Sequence, residues 1–186
     1  MENLLIIGAG GHGKVVAEAA KLEGKFNKIA FLDDGNLKSV LGYPVIGCIE
    51  DYKTLKDEYK YAFVAIGNNK VRLNLIKNLV NEGYVVPKII HPKAAISEHS
   101  TIDIGTVILA GAVINVDTKI GKGCILNINS ILDHDSSIGD GCHISSGAVI
   151  RSMVKVKRLS TVKANACVTQ GKIIEEEIII NEGETI

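Results

Sequence analysis

An aliphatic residue recurs at every sixth position through the second half of the chain. Isoleucine, leucine or valine occupies sixteen consecutive positions at this spacing, from Ile96 to Ile186. A small residue stands four positions after most of them, as at Ala112 and Ser130, and a turn-forming residue often stands one position after, as at Gly121. A fixed period of this kind indicates a repeat architecture.

A period of six fits neither the 3.6-residue turn of an α-helix nor the alternation of a single strand. It fits a coil with flat faces, in which each face takes six residues and then turns a corner. Three such faces make one coil, and coils stacked at the usual strand spacing of about 4.8 Å form a triangular parallel β-prism. The aliphatic residues then form ladders inside the prism. One predicted ladder consists of Ile96, Ile114, Leu132, Ile150, Val168 and Ile186.

The composition of the chain changes near residue 92. All three prolines lie at or before Pro92, and all three Phe and all five Tyr lie at or before Tyr84. We therefore predict two domains, 1–92 and 93–186. The 21 basic and 21 acidic residues give no net charge, which argues against a protein that binds nucleic acid by neutralising its phosphates.

The first residues do not have the pattern of a targeting segment. The apolar run from Leu4 to Ile7 is short and ends at Gly8, so it predicts neither a signal peptide nor a membrane span. We expect a cytoplasmic protein that does not insert into membranes. The four cysteines show no CxxC spacing, which favours reduced thiols over a disulfide scaffold or a zinc site.

The first half has the pattern of a nucleotide-binding α/β domain. An apolar strand, Leu4 to Ile7, precedes a glycine-rich turn, Gly8 to Gly13, and a predicted helix from Lys14 to Lys21. Glycines allow the backbone to approach a phosphate, and the free N–H groups at the start of the helix favour an anion. His12 lies inside this turn, either as a ligand contact or as an exposed loop histidine.

Two further strands and a helix complete this pattern. The predicted strand Ile29 to Leu32 ends in Asp33-Asp34, about 20 residues after the turn, where a carboxylate can bind a ribose hydroxyl. The predicted strand Tyr61 to Ile66 leads to Gly67 and to a helix from Lys70 to Val80. The α/β pattern ends near residue 90, so this segment is long enough for only half of a full dinucleotide-binding fold. A mononucleotide therefore fits the chain better than NAD does.

The two halves together resemble the sialic-acid O-acyltransferase family, which includes the bacterial N-acetyltransferases of UDP-4-amino sugars. The motifs that carry the resemblance are GAGGHGKVV at 8–16, FLDD at 31–34, AIGNN at 65–69, LDHD at 132–135 and HIS at 143–145. The resemblance implies a Rossmann-like α/β N-terminal domain and an all-β C-terminal left-handed parallel β-helix. That β-helix is the fold of the hexapeptide-repeat acyltransferases.

The resemblance also implies an activity and a place for each substrate. The expected reaction is transfer of the acetyl group of acetyl-CoA to the amine of a UDP-linked 4-amino sugar, in bacterial glycan biosynthesis. In this family the N-terminal domain binds the nucleotide sugar. The residues implied for that contact are Gly10, Gly11, His12, Asp33, Asp34 and Gly67.

The implied catalytic residues are His134 and Asp135. As general base, His134 would take a proton from the amine during direct attack on the thioester, and Asp135 would orient its imidazole. Ser152 follows His134 by one coil on the same side of the prism, so its backbone N–H is a candidate oxyanion donor. The residues implied for acetyl-CoA are His143, Ser152, Ala164 and Glu182.

An active site shared between subunits follows from the same resemblance. His143 lies half a coil from His134, so a neighbouring subunit would have to bring the two together, and we expect a homotrimer. Six basic and no acidic residues between Arg151 and Lys172 would suit the phosphates of CoA. Beyond Arg151, however, charged residues replace many small corner residues, and the chain ends at Ile186. We therefore expect the CoA site to depart from the family pattern.

Other functions remain open at this point. A sialic-acid-type sugar O-acetyltransferase would use the same base and donor, and the sequence does not distinguish an amine from a hydroxyl acceptor. A non-catalytic trimer that binds only a nucleotide sugar would account for the altered C-terminal coils. Carbonic anhydrases of the same fold bind zinc through three histidines. Here His99 lies about two coils from His134 and His143, so we predict no metal site.

Overall fold

The computed structural model describes residues 2–186. The chain divides into two compact units, the first ending at Ile89 and the second spanning Ile90–Ile186. The first unit is a Rossmann-like α/β fold and the second is a left-handed β-helix, which confirms the predicted fold classes and their order. Within residues 2–186, no helix is long and apolar enough to cross a membrane.

The first unit contains one five-stranded sheet in the order β3-β4-β2-β1-β5. Its strands are β1 (Asn3–Ile7), β2 (Lys28–Leu32), β3 (Ser39–Val40), β4 (Tyr43–Gly47) and β5 (Tyr61–Val64). Neighbouring strands are parallel except for the antiparallel pair of β3 and β4. The four apolar residues of β1 are completely buried, as expected for a central parallel strand.

Two α-helices and one short 3₁₀ helix connect these strands. Helix α1 (Gly11–Glu23) follows β1, the 3₁₀ helix (Ile49–Thr54) follows β4, and α2 (Asn69–Asn81) follows β5. The predicted strands and helices are therefore all present. Helix α1 begins three residues earlier than predicted, so Gly11, His12 and Gly13 lie in its first turn and not in the preceding loop. The predicted strand that begins at Tyr61 is two residues shorter than expected, because the chain leaves the sheet after Val64.

The hairpin of β3 and β4 was not predicted from the sequence. Its two turn residues, Leu41 and Gly42, both have a positive φ, of 53° and 81°. A two-residue turn with this conformation matches the twist of the flanking strands. The sequence has leucine at the first turn position, so it lacks the Asn-Gly or Asp-Gly pair that usually indicates such a turn.

The second unit is built from two-residue strands that form three parallel sheets, one on each face of a triangular coil. The first face contains Ile89–Ile90, Val107–Ile108, Ile125–Leu126, His143–Ile144, Thr161–Val162 and Ile179–Ile180. The second face contains Ala95–Ile96, Val113–Ile114, Ile131–Leu132, Val149–Ile150 and Cys167–Val168. The third face contains Thr101–Ile102, Lys119–Ile120, Ser137–Ile138, Lys155–Val156 and Ile173–Ile174.

Strand pairing confirms the predicted 18-residue coil. Leu126 pairs with Ile108 and with Ile144, and Leu132 pairs with Ile114 and with Ile150. The aliphatic residues of the repeat point inward and form one continuous core.

The corners of the coil share one backbone conformation. Every sixth residue from Gly105 to Gly183 has a left-handed φ, with glycine at half of these positions. The other half are Asp117, Asn129, Asp135, Met153, Leu159, Asn165 and Glu177. Left-handed φ disfavours most side chains, so the repeat imposes a conformational cost at several corners, including the one that carries Asp135.

Candidate active site

His134 lies at an exposed corner of the β-helix, just after the second-face strand Ile131–Leu132. Its Nδ1 lies 2.8 Å from Oδ2 of Asp135. Met153, on the next coil, donates its N–H to the carbonyl of His134 (3.1 Å). Asp135 donates its own N–H to the carbonyl of Val116, on the preceding coil (3.1 Å). The corner is therefore fixed from both sides, and the left-handed φ of 59° at Asp135 presents its short side chain to the imidazole.

The surroundings of His134 suit a general base. The hydrogen bond with Asp135 raises the pKa of His134, burial opposes this, and the negative charge of Asp133 adds to it. When Nδ1–H donates to Asp135, the neutral imidazole presents Nε2 as an acceptor. The side chain of His134 is 45% exposed, so an incoming amine can reach it.

The backbone N–H of Ser152 is available one coil beyond His134. Within residues 2–186 it has no hydrogen-bond acceptor, although Ser152 is a buried residue. At the equivalent positions one and two coils earlier, the N–H groups of His134 and Val116 are bound by the side chains of Asp133 and Asn115. Arg151, which precedes Ser152, offers no such acceptor. A backbone donor that lacks a partner suits an oxyanion.

The other residues predicted for acetyl-CoA lie on different parts of the β-helix. His143 is in a strand of the first face, while Ala164 and Glu182 lie one coil apart at the corner between the first and second faces. His134 lies at the corner between the second and third faces, opposite the first face. One chain therefore does not bring His143, Ala164 and Glu182 together with His134.

The basic segment 151–172 is not one continuous strip. The 18-residue coil distributes its side chains over different faces and corners, with only Arg151 directly before Ser152. Nζ of Lys157 lies 2.5 Å from the carboxylate of Glu175, and Arg158 lies 3.8 Å from Glu176. The following coil thus partly neutralises the charge expected for CoA, because residues 18 apart in sequence are neighbours in space.

In the first unit, Asp33 and Asp34 bind backbone groups. Asp33 accepts the N–H of Ala9 (2.7 Å) at Oδ2 and the N–H of Gly35 (2.8 Å) at Oδ1. Asp34 accepts the N–H of Ile49 (2.9 Å). Asp33 therefore positions the glycine-rich turn, a role that the sequence did not indicate.

The glycines at the start of α1 and after β5 have two different roles. A Cβ at Gly13 would lie 2.1 Å from the carbonyl oxygen of Gly8, so Gly13 is required for close packing. Gly10, Gly11 and Gly67 are exposed and have open space around them, which leaves their backbones accessible to a ligand. His12 is half-buried in the first turn of α1.

Arg72 is a candidate functional residue that the sequence reasoning missed. It is 1% exposed on the buried face of α2, and its guanidinium donates to the carbonyls of Ile66 and Gly67, both at 2.9 Å. It also donates to the side chain of Asn69 at 2.8 Å. The signal was present in the sequence, because Arg72 interrupts an apolar stripe with Leu75, Ile76 and Leu79 at helical spacing.

The described residues contain no candidate metal centre. Between residues 2 and 186, no three His, Cys, Asp or Glu side chains lie close enough together to hold a metal ion.

Comparison with known proteins gives concordant matches for the two units. Residues 3–79 match the PglD N-terminal domain family, and residues 117–152 match the bacterial transferase hexapeptide (six repeats) family. A histidine variant of the perosamine N-acetyltransferase from Caulobacter crescentus, solved with CoA and GDP-perosamine, is 30% identical with a TM-score of 0.96. That match covers 100% of this chain and 89% of the Caulobacter chain. The chain belongs to the PglD-type family of hexapeptide-repeat acyltransferases.

Other members of the PglD-type family agree with this assignment. The acetyltransferase domain of PglB from Neisseria gonorrhoeae, solved with acetyl coenzyme A, is 35% identical and has a TM-score of 0.78. That match covers 99% of this chain and 95% of the Neisseria chain. The UDP-N-acetylbacillosamine N-acetyltransferase of Bacillus subtilis is 33% identical over 116 residues, 59% of this chain. The match spans about half (52%) of the length of that curated relative.

Proposed function

We propose that the protein transfers an acetyl group from acetyl-CoA to the amine of a nucleotide-linked amino sugar. The observation that carries this proposal is the exposed pair of His134 and Asp135, joined at 2.8 Å on a corner held by both neighbouring coils. The names and bound ligands of the relatives support it, because each of the three is an acetyltransferase and two of them hold CoA or acetyl-CoA.

The proposed step is direct attack of the amine on the thioester. A C–N bond forms, Nε2 of His134 takes a proton from the amine, and the thioester C–S bond breaks as the tetrahedral intermediate collapses. The protonated His134 then returns its proton to the leaving sulfur of CoA. The N–H of Ser152 would bind the oxyanion, and a donor in this role typically contributes about 3 kcal/mol.

The acceptor is proposed to bind through the first unit, as a UDP-linked 4-amino sugar. The exposed backbones of Gly10, Gly11 and Gly67 support this role, as does the position of His12 at the start of α1. Asp33 would act mainly through the turn that it holds, while Asp34 keeps a carboxylate at the exposed end of β2. The Bacillus relative is named for a UDP sugar and the Caulobacter relative holds a GDP sugar, so the nucleotide base requires a direct test.

The acetyl-CoA site is proposed to form between subunits of a homotrimer. Two observations support this arrangement. His143, Ala164 and Glu182 lie away from His134 within one chain, so a second copy would be needed to supply them. The outer side of the second face also exposes an apolar surface, with Val113 at 40% and Ile131 at 39%. Such a surface is typical of a protein interface.

The decisive experiment measures release of free CoA thiol from acetyl-CoA with UDP- and GDP-linked 4-amino sugars. We expect His134→Ala to lower kcat by about 10²- to 10⁴-fold, because a general base contributes about that much. Activity should fall as the pH drops through the raised pKa of His134, since only the neutral imidazole accepts a proton. His99→Ala is the matched control, because His99 is exposed on the same corner two coils earlier.

Each contrary outcome has a distinct meaning. Undiminished turnover in His134→Ala removes His134 as the base. Thiol release with free sialic acid alone favours the O-acetyltransferase. Failure to bind acetyl-CoA in calorimetry favours the non-catalytic trimer.

A further inference from the structure

The residue directly before His134 carries a charge that its turn does not require. Asp133 accepts the N–H of His134 at 2.8 Å. At the equivalent position one coil earlier, Asn115 accepts the N–H of Val116 at the same distance, and Asn127 does so for Ile128 at another corner. A neutral side-chain oxygen is therefore sufficient for this turn, and the negative charge of Asp133 is additional.

The structure keeps Asp133 ionised. The N–H of His134 lowers the pKa of Asp133, burial opposes this, and the side chain of Asn115, which donates at 3.1 Å, lowers it further. Arg151, at the same turn position one coil later, also lowers the pKa of Asp133. Asp133 is thus an anion at the pH at which an imidazole titrates.

The charged groups around His134 come from three consecutive coils. Asp133 and Asp135 share its own corner, Asp117 lies one coil before Asp135, and Arg151 lies one coil after Asp133. The imidazole gains a positive charge when it takes a proton from the amine. Nearby carboxylates stabilise that charge, and Arg151 opposes them.

We propose that Asp133 is a second positioning residue for His134, one that fixes the backbone of the corner and stabilises the imidazolium formed during acetyl transfer. The proposal rests on the proposed role of His134 as general base and deepens it. Asp135 binds the ring directly, whereas Asp133 acts through the backbone and through its charge. The two carboxylates therefore make separable contributions to the pKa of His134.

The test compares Asp133→Asn with Asp103→Asn. Asn should preserve the turn at both sites, because Asn115 and Asn127 already form it and Asp103 accepts the N–H of Ile104 in the same way (2.7 Å). Each variant removes one negative charge, but Asp103 lies at the corner between the third and first faces. The chain has five histidines, so the His134 resonance can be assigned with His134→Gln and titrated by NMR in ¹³C-histidine-labelled protein.

We expect the pKa of His134 to fall in Asp133→Asn and to stay unchanged in Asp103→Asn. Asp135→Asn is the positive control for a lowered pKa. An unchanged pKa in Asp133→Asn, or an equal fall in Asp103→Asn, would overturn the proposal. This titration needs no turnover, so it decides the role of Asp133 even if the protein acetylates none of the sugars offered.

Where acetyl transfer is measured, the acidic limb of the kcat/KM profile provides a second readout. It should move to lower pH in Asp133→Asn and stay in place in Asp103→Asn. A limb that stays in place in both variants while the pKa of His134 falls would show that His134 is not the base, and would overturn the proposed function on which the role of Asp133 rests.

Discussion

The two units hold their candidate site residues in different ways. In the β-helix, the repeat itself places His134 and Ser152 on one corner, and each corner is fixed by backbone bonds to the coils on either side. In the α/β unit, side chains from separate elements hold the turns that follow β1 and β5. Asp33 at the end of β2 binds the turn after β1, and Arg72 on α2 binds the segment after β5. The position of the β-helix residues therefore depends on the register of the repeat, whereas that of the turns in the α/β unit depends on a few tertiary contacts.

This difference predicts different responses to mutation. Exposed site residues on the β-helix should be replaceable with little loss of stability, because backbone ladders hold the corner. In the α/β unit, residues that touch no substrate should affect both stability and substrate affinity. Three variants test this contrast, in decreasing order of the expected change in stability.

Gly13→Ala should have the largest effect. Its Cβ would lie 2.1 Å from the carbonyl oxygen of Gly8, which is backbone and cannot move aside. We expect the free energy of unfolding to fall by about 3 kcal/mol, measured by urea denaturation. Gly10→Ala, at the N-cap of the same helix, α1, is the matched control, because nothing lies within 4 Å of a Cβ built there. Equal destabilisation by both variants would contradict the tight packing of this turn.

Arg72→Met should lower the free energy of unfolding by about 2 kcal/mol, because it leaves the carbonyls of Ile66 and Gly67 without a donor. Arg72→Lys should cost less but cannot restore the planar fork that binds both carbonyls. In steady-state kinetics, both variants should raise KM for the nucleotide sugar and leave KM for acetyl-CoA unchanged. Equal changes in the two KM values would indicate a purely structural role.

Met153→Asn tests the corners of the β-helix and should have the smallest effect. Met153 has a φ of 60° and a side chain that is 46% exposed. Asparagine tolerates left-handed φ better than methionine does, so we expect stability to rise by about 0.5 kcal/mol in thermal or urea denaturation. Ile128→Asn is the control, since Ile128 is similarly exposed without a left-handed φ. A gain in both variants would contradict this explanation.

The same contrast explains which features could be predicted. The six-residue period correctly predicted that the aliphatic ladder residues of the β-helix face inward. An 18-residue coil has only one register in which Ile114, Leu132 and Ile150 all face inward. The hairpin at Leu41 was missed, since leucine is unusual at a position that needs a positive φ. Arg72 was missed as well, because its partners are backbone carbonyls that carry no sequence signal.

The charge of the predicted CoA surface depends on residues that are distant in the sequence. The sequence predicts that the six basic residues between 151 and 172 suit the phosphates of CoA, yet Lys157 and Arg158 lie beside Glu175 and Glu176 of the next coil. In a coil of 18 residues, side chains that are 18 residues apart in the sequence are neighbours on adjacent coils. Charges that are distant in the sequence therefore compensate one another in the fold.

The amino-acid sequence was sufficient to predict the β-helix, the α/β character of the first unit, the family and the position of His134 relative to Ser152. Each of these follows from a local pattern or a fixed period, which can be recognised without knowing the fold. The three-dimensional arrangement was needed to show that Asp33 and Arg72 hold the turns after β1 and β5, and that Asp135 reaches the imidazole from a left-handed corner. Hydrogen bonds depend on distance and direction in space, and the backbone groups that form most of them are the same in every residue.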